Sequence, residues 1–373
     1  MKAVMSGGGT GGHVNPALAI AGTISENEPG SEIVFVGTSR GIENKLVPAA
    51  GYPLYHVEIQ GIRRSLSPSN LKTAYLVFTS PAKAKKLLIG FKPDIAVGTG
   101  GYACWPVIRA AARLNIPTAL HESNAVPGVA VRMLEKSADR IYINFEETLM
   151  HLRYPEKALR VGNPLRGAFS VMSHREAKEA LGQDAAYPLM ILSCGGSMGA
   201  ERINREMLAV MRDFTSRRPD ILHIHATGAL EYKAAKAMYE QYGLSGYPNC
   251  RLTEYIYDMP LLMAAADLVI NRAGAVTLSE LAMLKKPCIL IPSPNVTNNH
   301  QVKNAAALAR KGAALMMEER ELSGDRLTRE IGALLADRKR LDEMSEKISS
   351  FAVNNCNNLI YSDLKTLVFN RKI

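Results

Sequence analysis

One tryptophan and 6% aromatic residues in a chain of 373 leave little to stack on bases. No nucleic-acid recognition motif is present either, so nucleic acid is not an expected partner. The five cysteines, Cys104, Cys194, Cys250, Cys288 and Cys356, are scattered and odd in number, with no CxxC or Cys/His spacing. That argues against a disulfide framework, points to a reducing compartment, and gives no reason to expect a metal. No apolar run reaches about 18 residues, so nothing reads as a transmembrane helix. The chain opens with one lysine and passes straight into a strand and a glycine loop, unlike a signal peptide.

Acidic residues are missing from one long stretch. Between Ile59 and Pro93 stand Arg63, Arg64, Lys72, Lys83, Lys85, Lys86 and Lys92, with no Asp or Glu. Leu66, Leu71, Tyr75, Leu76, Val77, Phe78, Leu87, Leu88 and Ile89 are interleaved with them. In a chain of net charge +10, such a segment suggests docking on an anionic membrane surface. The alternative is a helix whose apolar face is core and whose lysines are solvated.

What is present is enough apolar sequence, 47%, for two α/β domains. The opening residues 1–21, MKAVMSGGGTGGHVNPALAIA, read as strand, glycine loop and helix. Asn15 is the expected cap and Pro16 the expected first helical residue, with His13 carried by the loop. Loop N–H groups and a helix N-terminus make a ready anion site. The spacing Gly7-x-Gly9-x-x-Gly12 also fits the dinucleotide fingerprint of a dehydrogenase. The second strand, however, ends in Gly37-Thr38-Ser39-Arg40, with no carboxylate for a ribose.

Strands are expected at 2–6, 32–36, 54–58, 94–98, 117–121, 139–143 and 159–161, with helices at 16–26, 40–50, 70–90, 105–114 and 127–136. Pro81 should kink or divide the 70–90 helix. This alternation implies a parallel, doubly wound sheet whose ligand groups lie on loops after strands. The glycine turn 98–102 and the run His121-Glu122-Ser123-Asn124 are such loops. Gly162-Asn163-Pro164 marks a boundary, giving domains 1–163 and 164–349. The second half repeats the opening: strand 189–192, glycine loop 194–200, then helix. Further strands fall at 221–225, near 251–252, at 267–270 and at 288–292. Helices fall at 229–241 and from 276, the latter carrying Glu280. Residues 323–349 read as two surface helices, and a helix within about 350–373 is expected to pack back on the first domain. The fold class is therefore α/β: two Rossmann-like domains with parallel sheets facing across a cleft, an anion site on each wall. That favours a transferase of phosphate-bearing substrates. A lipid-binding scaffold without activity is the rival from another class.

Eight motifs carry a more specific resemblance: GGGTGGHVNPALA (7–19), GTGGY (98–102), HESNAVPG (121–128), GNPLR (162–166), GGSMGA (195–200), EYIYDM (254–259), RAGAVTLSELA (272–282) and HQVKNA (300–305). In order and spacing they resemble glycosyltransferase family 28, over nearly the whole chain. The resemblance implies a GT-B fold, no metal or other cofactor, and a peripheral place on the cytoplasmic face of the cell membrane. It implies inverting transfer of N-acetylglucosamine from UDP-GlcNAc to the 4-hydroxyl of MurNAc in undecaprenyl-diphospho-MurNAc-pentapeptide, a step of peptidoglycan synthesis. The alternative is another GT-B lipid glycosyltransferase using a different UDP-sugar.

The resemblance also implies roles. Glu280 would hold both ribose hydroxyls, and Ile256 would meet uracil through its backbone. Ser197 and its loop would hold a phosphate, with Arg166 nearby. Ala275, Val276, Thr277, Leu278 and Ser279 would form the helix start against ribose and phosphate, and Gln301 would bind the sugar. Thr10, Gly11, Gly12 and Asn124 would border the donor from the first domain, and Tyr102 would belong to the acceptor diphosphate site. Some members carry two glutamines where this chain has His300-Gln301, a departure that leaves a sugar contact at position 300 open. For the base, His13 is the first candidate, since an ordinary histidine titrates near cellular pH, and Glu122 is the second.

Overall fold

The computed structural model describes residues 1–60, 69–165, 172–182 and 186–372. The chain divides into two compact units, Met1–Arg166 with Val353–Ile373, and Gly167–Ala352. The first unit therefore ends at Arg166 rather than at residue 163.

The first unit runs β1 (Lys2–Gly7), α1 (Gly11–Asn27), β2 (Glu32–Gly37), α2 (Glu43–Ala49), β3 (Leu54–His56), α3 (Ser69–Phe91), β4 (Ile95–Gly100), α4 (Cys104–Arg113), β5 (Thr118–Glu122), α5 (Val129–Leu134), β6 (Arg140–Ile143) and β7 (Ala158–Arg160). Among the described residues these strands form one parallel sheet in the order β3-β2-β1-β4-β5-β6-β7. The order reverses between β1 and β4, the point at which such sheets gather ligands. Ala3, Val4 and Met5 are all fully buried because helices cover both faces of the sheet. Ile20, Ile24 and Phe35 build the core on one face, and Leu88, Ile108, Leu134 and Ile141 build it on the other.

The expected start of the first helix fails here. Helix α1 starts at Gly11, not Pro16; Thr10 is its extended N-cap residue and Asn15 caps nothing. The N–H groups of His13 and Val14 both close on the Thr10 carbonyl at 3.1 Å. His13 thus lies in the first helical turn rather than on the loop. Pro16 sits inside the helix, where its ring removes the bond to the Gly12 carbonyl. Pro81 likewise lies within α3, which continues through it undivided.

The second unit runs α6 (His174–Ala180), β8 (Leu189–Cys194), α7 (Glu201–Asp213), β9 (Ile221–Ala226), α8 (Tyr232–Gln241), β10 (Cys250–Thr253), α9 (Met259–Ala265), β11 (Leu268–Asn271), α10 (Ala275–Met283), β12 (Cys288–Leu290), α11 (His300–Arg310), β13 (Leu315–Met316), α12 (Gly324–Ala336) and α13 (Arg338–Ser349). Its parallel sheet has the order β10-β9-β8-β11-β12-β13, the same winding again. Helices α12 and α13 are amphipathic and bury Leu327, Ile331, Leu334, Leu341 and Met344 against this sheet's core. The last helix, α14 (Cys356–Lys372), returns to the first unit, with Ile360 and Leu364 in its core. Asp363 fastens it there, accepting from Arg140 Nε at 2.8 Å and from Tyr142 Oη at 2.9 Å.

All five cysteines are buried and free. Among the described residues no helix is long and apolar enough to cross a membrane. The basic apolar segment is only partly in view: Arg63, Arg64 and Leu66 fall outside the described residues, as does the Phe78 side chain. In the rest of α3, Leu88 is buried in the core and Leu87 packs against it, so neither faces outward as the membrane reading required. Lys83, Lys85, Lys86, Tyr75 and Ile89 are exposed.

Candidate functional site

In the first unit the loop between β1 and α1 lies against the end of β4. The Gly8 N–H reaches the Gly100 carbonyl at 3.4 Å, and Thr99 Oγ1 donates to the His13 carbonyl at 2.7 Å. Gly100, with φ of 109°, is packed on the His13 ring: a Cβ there would come within 2.6 Å of Cδ2. His13 Nδ1 is 3.1 Å from the Gly8 carbonyl and 3.3 Å from Thr10 Oγ1. A carbonyl only accepts, so Nδ1 carries the proton and the basic lone pair of the neutral ring is on Nε2. His13 is partly exposed, and Gly12 and Tyr102 are exposed beside it in sequence and on the next loop.

Sequence reasoning missed the carboxylate that occupies this loop. Glu43, fully buried, accepts the Gly9 N–H at 2.8 Å on Oε2, and on Oε1 accepts the Thr38 N–H at 2.9 Å and its hydroxyl at 2.8 Å. Burial raises its pKa, but the hydrogen bonds from Gly9 and Thr38 outweigh that and hold it below the usual carboxylate value. Gly8, Gly37 and Gly41 leave the room it needs. The loop expected to wait for a phosphate is thus partly filled by the chain's own anion. Glu43 also lies just beyond the end of β2, near where a dehydrogenase keeps its ribose carboxylate, but with its oxygens spent.

At the end of β5, Glu122 is buried and committed to its own loop. Oε1 accepts the backbone and side-chain N–H of Asn124, at 2.9 and 3.0 Å, and Oε2 accepts the Gly128 N–H at 2.7 Å. Burial is the largest influence and raises its pKa. Beside it His121 is buried with Nε2 at 3.0 Å from the Gly162 carbonyl, and burial pushes its pKa down to about 4, so it is neutral. Of the sequence candidates, Thr10 ends the β1 loop, Gly11, Gly12 and His13 open α1, and Tyr102 lies on the loop after β4. Asn124 and Glu122 lie on the next strand end, and Arg166 falls outside the described residues.

The second unit has its own arrangement at the C-terminal strand ends. Residues 195–199 follow β8 and lead to α7, with Ser197 exposed. The loop is pressed on the turn after β9: a Cβ on Gly228, with φ of 80°, would clash with the Gly199 nitrogen. Below it runs a buried polar chain. Ser193 Oγ lies 2.8 Å from both His223 Nε2 and His225 Nδ1, His225 Nε2 lies 3.1 Å from Asn204 Oδ1, and Asn204 Nδ2 donates to the Thr227 carbonyl at 2.9 Å. Burial lowers His223 to about 3 and His225 to about 4.

After β11 comes α10, capped at Gly274 by no side chain, so its first N–H groups rely on other partners. Val276, Thr277, Leu278 and Ser279 complete its first turns. Glu280 stands on the same helix, partly buried. Among the described residues no hydrogen bond or ion pair reaches its carboxylate, and burial raises its pKa to about 7. Ile256 is buried between exposed Tyr255 and Tyr257, the two rings meeting edge-on at 5.2 Å. Gln301 Oε1 accepts the Ser293 N–H at 2.9 Å, which leaves its amide nitrogen as the donor it can offer. Among the described residues no group of three or more His, Cys, Asp or Glu is placed to hold a metal ion.

Two α/β units with parallel sheets and ligand loops at the C-terminal strand ends define the GT-B class, and comparison with known proteins agrees. The glycosyltransferase family 28 N-terminal domain matches residues 3–143 and its C-terminal domain residues 190–359. A UDP-N-acetylglucosamine--N-acetylmuramyl-(pentapeptide) pyrophosphoryl-undecaprenol N-acetylglucosamine transferase of Acetivibrio thermocellus is 42% identical, over 100% of this chain and 99% of its own. An enzyme of the same name from Caldanaerobacter subterraneus is 40% identical, over 98% of this chain and 100% of its own. The crystal structure of Acinetobacter baumannii MurG has a TM-score of 0.79 at 27% identity, over 98% and 99% of the two chains. The chain belongs to glycosyltransferase family 28, among the N-acetylglucosaminyltransferases.

Proposed function

We propose that this enzyme transfers N-acetylglucosamine from UDP-GlcNAc to the 4-hydroxyl of MurNAc in undecaprenyl-diphospho-MurNAc-pentapeptide, with inversion. The observation that carries the reading is Glu280. A carboxylate with no protein partner among the described residues, on a helix whose N-terminus has no side-chain cap, suits the two hydroxyls of a ribose next to a diphosphate. The names of the relatives supply the sugar and the acceptor.

In this reading the second unit holds the donor. The Ile256 backbone meets uracil, Glu280 takes the ribose hydroxyls, and Ser197 with its glycine loop takes a phosphate. The start of α10, Ala275 to Ser279, and Arg166 border ribose and phosphate, and the Gln301 amide donates to the sugar. The first unit holds the acceptor, with Tyr102 and the glycine loops near its diphosphate and Thr10, Gly11, Gly12 and Asn124 bordering the donor. The acceptor oxygen attacks the anomeric carbon, the bond from that carbon to UDP breaks, and His13 Nε2 takes the hydroxyl proton. Both Glu122 oxygens are engaged, which favours His13 as base over Glu122. Backbone N–H groups and helix N-termini stabilise the charge that develops on UDP. The exposed lysines of α3, with Ile89 and Tyr75, support a reading in which the first unit docks on anionic lipid at the cytoplasmic face of the membrane.

Titrating UDP into wild type and Glu280→Gln tests the carrying observation. A loss of tenfold or more in affinity is expected in the variant, because charge-assisted hydrogen bonds are worth about 1.5–3 kcal/mol. Equal affinities would remove Glu280 from the nucleotide site and this reading with it.

A further inference from the structure

The second unit has a cavity at the opposite ends of its strands. It is a half-open hollow of about 450 Å³, within the range of small-molecule sites. Asp267 stands just before β11, and Lys286 and Pro287 stand just before β12, so the cavity lies at the N-terminal strand ends. The nucleotide residues are at the C-terminal ends, a strand length away, and four residues of β11 alone span about 13 Å. The donor site does not account for this cavity.

Its chemistry is that of an anion receptor with an apolar floor. Lys285, Lys286 and Arg338 line it, against two carboxylates, Asp267 and Asp342, and Lys178 stands behind Asp267. Asp267 is already more than compensated. Its Oδ2 accepts the Met190 N–H at 2.8 Å, and His174, Lys178 and Arg338 come within 3.6, 3.6 and 3.8 Å of its oxygens. Asp342 pairs with Arg338 at 3.1 Å. Lys286 is buried and has no carboxylate at ion-pair distance among the described residues. Its ammonium is held by the carbonyls of Ala264 and Ala266 and by His174 Nδ1. Burial first, then Lys178 and Arg338, lower its pKa to about 8 against the pull of Asp267. Three acceptors thus take the three N–H groups, and the charge itself has no carboxylate at ion-pair distance among the described residues, next to Met283 and Leu284.

Position gives the cavity a consequence. One wall is Met172, Ser173 and His174, where the chain has just entered the second unit at Gly167. Another is α13, after which the chain leaves the unit at Ala352. Both connections between the units run from segments that line it.

We propose that this cavity is a second ligand site, for a small organic anion such as a phosphate monoester with an apolar body. Bound there, the anion braces the two segments through which the chain enters and leaves the nucleotide-binding unit.

The test is calorimetric titration of phenyl phosphate into the full chain with saturating UDP, alongside inorganic phosphate and phenol. Arg338 is exposed, and its replacement leaves the core intact. Phenyl phosphate is expected to bind one site, at least tenfold more tightly than either half-molecule. Arg338→Glu is expected to weaken it at least fivefold while the UDP affinity is unchanged. Binding is also expected to weaken above pH 8, as the cation Lys286 is lost among His174, Lys178, Lys285, Arg338, Asp267 and Asp342. No binding, binding equal in Arg338→Glu, or displacement by UDP would overturn the proposal. A failure of UDP to bind would count against the donor reading only, since phenyl phosphate would still report on the cavity.

Discussion

The Glu43 carboxylate accepts the Gly9 N–H at 2.8 Å, and so the first glycine loop is held from inside by an anion of the same chain. Glu43→Ala would take the charged acceptor from the part-buried N–H bonds of Gly9 and Thr38, and a hydrogen bond to a charged group is worth about 1.5–3 kcal/mol. A destabilisation of about 3 kcal/mol or more is expected in urea unfolding, with a smaller loss in Glu43→Gln, which keeps one acceptor. The folded pKa of Glu43 is depressed, so its stabilisation is present above about pH 4.5 and is lost as pH falls through the folded value. Wild type and Glu43→Ala should therefore converge in stability in strong acid; a difference that stays constant as the carboxylate protonates would contradict the charge's role.

Glu280 titrates the other way. Its folded pKa of about 7 is raised, so near neutrality the empty site holds a mixture of acid and carboxylate. Ribose hydroxyls donate to the carboxylate and favour it. Uridine, which has no phosphate to titrate, should bind about tenfold more tightly at about pH 8 than at about pH 6, releasing a proton. In Glu280→Gln the pH dependence should vanish. A flat profile in wild type would show that the ribose does not meet this group.

Three neutral histidines are buried, His121, His223 and His225, with pKa values of about 4, 3 and 4. Each charges on unfolding below its ordinary value of about 6.5, so the stability they contribute is present above that pH and falls through the window down to the folded values. At about pH 5.5 each costs about 1.4 kcal/mol. The pH dependence of urea unfolding between about pH 6 and 5 should therefore lose about one proton in His223→Gln. An unchanged slope would mean that His223 is charged in the folded protein.

Helix α3 separates two roles that its sequence mixes. Leu88→Ala should cost about 2–5 kcal/mol, as a buried leucine does. Ile89→Ser with Lys85→Glu and Lys86→Glu should leave thermal stability within about 1 kcal/mol while weakening cosedimentation with anionic vesicles. Unaltered vesicle binding would take α3 out of the membrane contact.

Much of the fold was legible because the signal was redundant. The central parallel strands are apolar runs, such as Ala3-Val4-Met5 before Gly7 or Met190-Ile191-Leu192 after Pro188, and alternation with helices then leaves one sheet type. What was not legible depends on contacts across the chain. Asn15-Pro16 imitates a helix start, whereas the true start at Gly11 is set by the Thr10 carbonyl. Leu87 and Leu88 look the same as Ile89 in a line of text, and only packing against Ile108 and Leu134 tells which are core. Glu43 reaches Gly9 from 34 residues away, which no local pattern encodes. The proposed donor residues were read from the family motifs, and the physical ground offered for Glu280, a carboxylate with no protein partner among the described residues, needed the structure.

Sugar transfer with His13 as base stands or falls on UDP release from UDP-GlcNAc in EDTA, with and without a lipid-linked muramoyl-pentapeptide, in wild type, His13→Ala and His13→Gln. Release is expected only with acceptor, with no loss in EDTA. In both variants kcat should fall by about 10²–10⁴, with the UDP affinity retained. Acceptor-independent release, or full turnover in His13→Ala, would contradict this mechanism.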